Sequence, residues 1–354
     1  MRSIGIMTCG GDCPGLNAAI RAVVFRAAER EATVTGFYHG FEGLIENRTT
    51  PLDMDNTWDI LGRGGSILGC SGANPWRDSK TAEEARQAVA NFRALGLDAL
   101  VVVGGNSSMA TAKAAQDAGI PVAGIPKTID NDVEGTDITI GFDTAVATAA
   151  DAIDRLRTTA ESHDRVMIVE TMGRDFGWIA VAAGIAGGAD IVLTPEEPVD
   201  ITAVASAIKA RQSRGKEFSI IVIGEGAKFR GEDRQYGEIR RGDQMLHLRG
   251  VGAALADRLE QAEPGRWRLT VNVIGHLQRG GPPSSTDRIL ASRFGVRAAD
   301  VALDGPHGNM VGIRDGKIAL TPLEQVAGRL KPVDPDLLQA ARTFNVHPSA
   351  SRLS

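Results

Sequence analysis

The chain has 354 residues, 43% hydrophobic and 23% charged, with a net charge of −5 at pH 7. That length accommodates two ordinary domains, and the composition is that of a globular protein. The acidic balance argues against a nucleic-acid partner, and no apolar run approaches the ~18 residues that would cross a bilayer, so neither nucleic acid nor membrane is an expected partner.

In chain order, one pattern recurs: a β-branched run, a glycine-rich turn, then an alanine-rich helical segment. "SIGIM" leads through "TCGGDCPGLN" into "AAIRAVVFRAAERE". "ALVVV" leads through "GGNSS" into "MATAKAAQDAG", and "RVMIVE" through "TMGRDFG" into "WIAVAAGIAGG". "PVAGI", "DIVLT", "FSIIVIG" and "LTVNVIG" read as further strands. Continuous apolar strands alternating with helices predict mostly parallel sheets covered on both faces, with ligands beyond the carboxyl ends of the strands. The 42 glycines cluster at those ends, where a backbone must take unusual dihedrals or approach a ligand. Residues 228 to 248 are charged and read as an exposed excursion, and the tail "HPSASRLS" as frayed. The start "MRSIGIMTCGG" does not read as a signal peptide. Cys9, Cys13 and Cys70 are too few for a disulfide framework, which suits a reducing cytoplasm, and no Cys/His set completes a zinc site.

The loops carry the chemistry. "TCGGDCPGLN" places Gly10 and Gly11 at a strand end and a helix start near Asn17, which is either an anion cradle or a tight turn with no ligand. It lacks the P-loop pattern. "GGNSSM" is a second turn into a helix, without a carboxylate. "GIPKTIDNDVEGTDITIGFDTA" gathers Asp130, Asp132 and Asp137 near Lys127. Close carboxylates can divide the tasks of general base and cation ligand, and the lysine can neutralise phosphate. Glu170, Met172 and Arg174 mark one later strand end, and His276 and Arg279 another, before Gly280 and Gly281. Arginine with histidine suits a sugar phosphate.

"GGDCPGLNAAIR", "PKTIDND", "GFDTA", "MGRDFGWIA", "GEGAK" and "GHLQRGG" followed by "DRILASR" together resemble the ATP- and pyrophosphate-dependent 6-phosphofructokinase family, in its order, from about residue 4 to residue 312. The resemblance implies two Rossmann-like three-layer αβα domains: 1–141 with 278–328 for the phosphoryl donor, and 142–277 with 329–354 for the acceptor. It implies a cytoplasmic homotetramer or homodimer that moves a terminal phosphoryl group to the 1-hydroxyl of fructose 6-phosphate with Mg²⁺. Asp130 matches the general base, and Thr128, Asp132 and Arg174 its catalytic partners. Gly11, Gly105, Asn106, Ser107, Ser108 and Lys127 match the donor site. Met172, Gly173, Glu225, Arg165, His276 and Arg279 match the acceptor contacts, the last three as the clamp on its phosphate. Asn106 and Asp130 match the metal position.

The chain departs from the family pattern at both ends of the substrate. Asn106 stands where relatives carry an acidic Mg²⁺ ligand. Ser107 stands at the donor-choosing position, beside Lys127; its small volume and lack of a repelling carboxylate favour ATP over pyrophosphate. Gly72 replaces an arginine that reaches the transferring phosphoryl group, with Arg77 five residues on. Thr270 replaces an arginine contributed across a subunit interface to the 6-phosphate; Arg268 shares its face ~6.6 Å away. Phe25 stands four residues after Arg21, where relatives with a nucleotide effector site carry a second basic residue. Retention of Asp130 favours phosphoryl transfer. The alternatives are a pyrophosphate-dependent enzyme, a kinase for another sugar or cyclitol, or a non-catalytic regulatory homologue.

Overall fold

A computed structural model describes residues 2–77, 79–232, 236, 238–241, 244–247 and 250–344. The tail at 347–354 and Leu248 lie outside the described residues. In chain order the elements are β1 (Ser3–Thr8), α1 (Leu16–Glu29), β2 (Thr33–Phe37), α2 (Phe41–Ile45), β3 (Thr49–Leu52), α3 (Met54–Thr57), α4 (Ala82–Ala94), β4 (Ala99–Gly104), α5 (Asn106–Asp117), β5 (Val122–Pro126), α6 (Phe142–Ser162), β6 (Arg165–Thr171) and α7 (Trp178–Ala186). They continue with β7 (Ile191–Leu193), α8 (Ile201–Gln212), β8 (Ser219–Gly224), β9 (Glu238–Arg241), β10 (Gln244–His247), α9 (Val251–Ala262), β11 (Arg268–Val273), α10 (Ser285–Asp304), β12 (Asn309–Arg314), β13 (Lys317–Pro322), α11 (Leu323–Val326) and α12 (Pro335–Phe344). The chain divides into two compact units, one of Met1–Thr144 with Arg279–Lys331 and one of Ala145–Gln278 with the residues from Pro332.

The first unit is built on a seven-stranded sheet in the order β13-β12-β5-β4-β1-β2-β3. Its centre is parallel, and only the edge strands β3 and β13 run antiparallel. The central strands are apolar on both faces because helices cover both faces. Met7, Leu100 and Val102 pack with Phe41, Leu44, Phe92, Met109, Ala112, Leu323 and Val326, from α2, α4, α5 and α11. α1 and α10 pack against each other, and α10 against β4, β5 and β12. A Cβ at Gly295 would lie 2.6 Å from the Ala22 Cβ, so α1 and α10 approach closely because that position is glycine.

From β1 the chain moves to β2 on one side, and from β4 to β5 on the other. The strand order therefore reverses between the adjacent strands β1 and β4, and the crevice beyond their carboxyl ends is where such sheets bind ligands. Buried Asp287 fastens this end. Its carboxylate accepts from the Gly141 N–H at 2.8 Å, the Thr144 N–H at 2.9 Å and the Thr144 hydroxyl at 2.5 Å, and so caps α6 from another element.

The second unit has a four-stranded, wholly parallel sheet in the order β11-β6-β8-β7. Val166, Ile168, Ile221 and Ile223 pack with apolar residues of α8 and α9 and with Trp267, while α7 packs with β7, β8 and α12. β9 and β10 form a separate antiparallel ribbon. The expected excursion after residue 228 is thus partly structured: Phe229 is buried, and its ring meets that of Tyr236 edge-on. Among the described residues no helix is long and apolar enough to cross a membrane.

Candidate active site

In the first unit, the loops after β1, β4 and β5 share one end of the sheet, because Thr8 pairs with Val103 and Gly104 with Pro126. The Gly10 N–H donates to the Ser71 carbonyl at 2.9 Å, and the left-handed φ of Gly10 (+76°) turns the chain there. A Cβ at Gly10 would stand 3.3 Å from Ser108 Oγ and 3.7 Å from Lys127 Nζ. The turn is therefore held open by glycine, directly against the other two loops. Lys127 is only 3% exposed, and its ammonium donates to the Gly11 carbonyl at 2.5 Å. The Arg279 guanidinium donates to the Asp12 carbonyl at 3.1 Å, and a Cβ at Gly11 would lie 3.0 Å from it.

α5 opens directly behind this loop, with Gly105 at its cap and no side-chain cap of its own. The first turn, Asn106, Ser107 and Ser108, thus presents helix N–H groups near the Lys127 ammonium, a setting that favours an anion. Ser107 is exposed and Ser108 buried. Asn106 Nδ2 donates to the Asp132 carbonyl at 3.1 Å, whereas Asn106 Oδ1 is buried with no hydrogen-bond partner.

The loop after β5 carries the carboxylates. The Asp130 N–H donates to Thr128 Oγ1 at 3.1 Å, and Thr128 N–H to the Ile140 carbonyl at 3.2 Å. Between Asp130 and Asp132, Asn131 takes a left-handed φ of +51°, and its buried side chain accepts the Thr139 N–H at 3.0 Å. Asparagine tolerates that region where most residues do not. The role of Asn131 was missed from sequence, although an asparagine between two aspartates in a turn is its signal. Asp137 is exposed, and among the described residues no three His, Cys, Asp or Glu side chains gather into a metal-binding group. Asp137 is thus the most solvent-exposed of the three loop aspartates, while Asp130 and Asp132 are half-buried.

Gly72 is exposed and a Cβ there would meet nothing within 4 Å, so the space an arginine would need is open. Arg77 is exposed. On the surface of α1, the Arg21 guanidinium lies 4.1 Å over the Phe25 ring, and the Trp58 ring meets that of Phe25 at a tilt of 39°. Burial pushes the Cys9 thiol up to about 12 and raises those of Cys13 and Cys70 as well, so none is poised as a nucleophile.

In the second unit, Met172, Gly173 and Arg174 follow β6, and Glu225 follows β8. The Glu225 N–H donates to the Thr171 carbonyl at 2.9 Å and the Gly226 N–H to the Gly173 carbonyl at 3.2 Å, so the two turns are stitched together. Gly173 adopts φ +123°. Arg174 is exposed, as is His276 in the short 3-10 turn Gly275–Arg279 after β11. Buried Glu170, at the end of β6, accepts the Gly252 N–H at 2.8 Å at the start of α9, and burial raises its pKa.

Arg165 stands apart from this group. It opens β6, and six residues at the rise of a strand separate it from the Met172 turn by about 20 Å. Its NH1 donates to Thr270 Oγ1 at 3.2 Å, and its Nε is buried without a partner. Arg279 belongs to the first unit, on the Gly11–Asp12 loop. Within the second unit, Arg165 and His276 of the expected clamp therefore lie at opposite ends of the sheet. Spacing along the sequence did not reveal that Arg165 and His276 attach to opposite ends of parallel strands.

Glycine backbone, a helix start and a buried lysine thus meet at one end of the sheet, with Asp130 on the same loop as the lysine. The Phosphofructokinase family profile matches residues 3–302. The chain belongs to the phosphofructokinase family. It is 46% identical over 352 residues to the ATP-dependent 6-phosphofructokinase of Spirochaeta thermophila, covering 96% of each chain. It is 44% identical over 351 residues to the pyrophosphate–fructose 6-phosphate 1-phosphotransferase of Streptomyces coelicolor, covering 96% of this chain and 99% of the relative. The fold is shared with the pyrophosphate-dependent phosphofructokinase of Marinobacter aquaeolei, at a TM-score of 0.81 and 23% identity over 97% of this chain and 91% of that one. Relatives of both donor types thus resemble this phosphofructokinase family member to nearly the same degree.

Proposed function

We propose that this phosphofructokinase transfers the terminal phosphoryl group of ATP to the 1-hydroxyl of fructose 6-phosphate. The observation that carries the reading is the cradle formed where the strand order reverses: Lys127 bonded to the Gly11 carbonyl, beside the start of α5. Gly11, Gly105, Asn106, Ser107, Ser108 and Lys127 hold the donor. Asp130, oriented by Thr128 and supported by Asp132, takes the proton of the attacking hydroxyl as the new O–P bond forms and the bond to the leaving ADP oxygen breaks. Met172, Gly173, Glu225, His276 and Arg279 contact the acceptor, and Arg174 offsets negative charge on the reacting groups.

The residues fit a hard divalent cation. Asn106 Oδ1 is a buried acceptor without a partner, and Asp130 adds a carboxylate oxygen. Mg²⁺ held there would neutralise donor phosphate charge; such an ion takes few protein ligands and keeps water and phosphate oxygens as the rest. Arg165 reaches the acceptor phosphate from a second copy of the chain, since its own Met172 turn is a strand length away. This supports a homodimer or homotetramer.

A second reading uses pyrophosphate as donor, and the 44% identity to a relative named for that donor supports it. ATP is preferred because exposed Ser107 brings neither bulk nor negative charge to the donor-choosing position. The test measures turnover with ATP and with pyrophosphate, each against fructose 6-phosphate, sedoheptulose 7-phosphate, fructose and inositol. Turnover with ATP and fructose 6-phosphate is expected. Turnover with pyrophosphate alone would overturn the donor assignment, and tight nucleotide binding with no turnover would favour a regulatory protein.

A further inference from the structure

Among the described residues, four buried side-chain polar atoms without a hydrogen-bond partner belong to the second unit's strand β6 and the turns that follow its sheet, and two of them flank one peptide group. Gln278 is wholly buried (0% exposed), and its side chain accepts the Met172 N–H at 3.0 Å. A peptide N–H can only donate, so the atom facing it is the carbonyl oxygen Oε1. The Nε2 amino group must therefore point elsewhere, and it finds no acceptor. Immediately before Met172, Thr171 is 1% exposed, and its Oγ1 is likewise buried and unpaired. An unmet donor and an unmet hydroxyl thus stand beside the same peptide, in a protein interior where such groups are costly.

That peptide leads into the acceptor turn. The Gly173 carbonyl accepts from Gly226 N–H, and a Cβ at Gly226 would lie 1.8 Å from the Arg174 carbonyl oxygen, so this turn and the next are packed backbone to backbone. Gln278 is the side chain that fixes where the turn begins.

We propose that Gln278 and Thr171 are positioning residues for the sugar acceptor, an inference that rests on the functional reading above. Gln278 holds the Met172–Gly173 turn through Oε1. Gln278 Nε2 and Thr171 Oγ1 gain their missing hydrogen bonds when a polyhydroxylated acceptor settles the turn. Neither side chain touches the reacting atoms. The unmet hydrogen-bonding capacity is spent on ordering the turn that does.

The test combines steady-state kinetics with amide hydrogen exchange on the full chain, using fructose 6-phosphate as probe. Gln278→Leu removes both interactions, and Thr171→Val removes only the hydroxyl. In Gln278→Leu, exchange at the Met172 amide should rise about tenfold or more without ligand. In both variants KM for fructose 6-phosphate should rise, about tenfold in Gln278→Leu and somewhat less in Thr171→Val, with KM for ATP changing less than about twofold. The double variant should cost little more than Gln278→Leu alone, because the two act as one unit. If Gln278→Leu does not fold, Thr171→Val carries the kinetic arm. Unchanged Met172 exchange, an unchanged acceptor KM, or equal rises in both KM values would overturn the inference while leaving the functional reading in place. A wild-type enzyme that transfers nothing to fructose 6-phosphate would overturn that reading and this inference with it.

Discussion

Asp287→Asn changes one atom at the most heavily used carboxylate of the first unit. Oδ1 accepts the Gly141 N–H, while Oδ2 accepts both the Thr144 N–H and its hydroxyl. The amide must turn its NH₂ towards one side. The Thr144 hydroxyl can accept from the amide as well as donate to it, so either orientation sets the NH₂ against one backbone N–H, of Gly141 or of Thr144, and leaves that buried N–H unmet. That costs about 1–3 kcal/mol. Relief from burying a charge returns part of it, for a net loss of about 1–2 kcal/mol at neutral pH. The pH dependence gives a second check. Burial raises the folded pKa of Asp287 above its ordinary value of 3.8, with the Thr144 hydroxyl and the two N–H groups pulling the other way. A raised acid contributes its full stability below 3.8 and loses it as pH rises through the folded pKa. Asparagine does not titrate. The gap between wild type and variant should therefore be largest at acid pH and narrow towards neutrality. Calorimetric unfolding of both proteins across that range reads it directly. An asparagine variant as stable as wild type at the acid end, or a gap that widens with rising pH, would refute the reasoning.

Asp130→Asn should lower kcat by about 10²–10⁴ with the melting temperature nearly unchanged, since an amide cannot take the proton; a full-rate variant would remove Asp130 from the base role. Gly72→Arg places a guanidinium where a Cβ meets nothing within 4 Å, so it should fold normally and raise kcat at least about tenfold by stabilising the transferring phosphoryl group. Single-turnover kinetics would detect it, and an unchanged rate would count against the open space lying over the donor. Thr270→Arg exchanges the hydroxyl that receives Arg165 NH1 for a phosphate ligand; KM for fructose 6-phosphate should fall about tenfold, equivalent to ~1.4 kcal/mol. Native enzyme treated with iodoacetamide near pH 7.5 should label slowly at all three cysteines and rapidly once unfolded, because burial holds the thiols protonated. Fast labelling of native Cys9 would contradict its burial.

The sequence by itself determined the fold class and the chemistry. "ALVVV" and "FSIIVIG" are apolar at every position, a pattern that needs cover on both faces of a parallel sheet, and β4 and β8 are buried throughout. Gly10, Lys127 and Asp130 were legible because each terminates such a strand, and strand ends are where parallel sheets place their ligands. The edge strands β3 and β13 were not, since one short and one half-exposed strand carry little apolar signal. Only the tertiary structure decided which ends meet. Pairing of β4 with both β1 and β5 brings Gly10 against Ser108 and Lys127, which lie far along the chain from it, and attachment to the amino end of β6 takes Arg165 away from Met172. Gln278, Thr171, Asn131 and Asp287 escaped notice for the same reason. Their importance lies in which buried donors and acceptors they meet or leave unmet, and that is settled by packing between distant segments rather than by residue type or spacing.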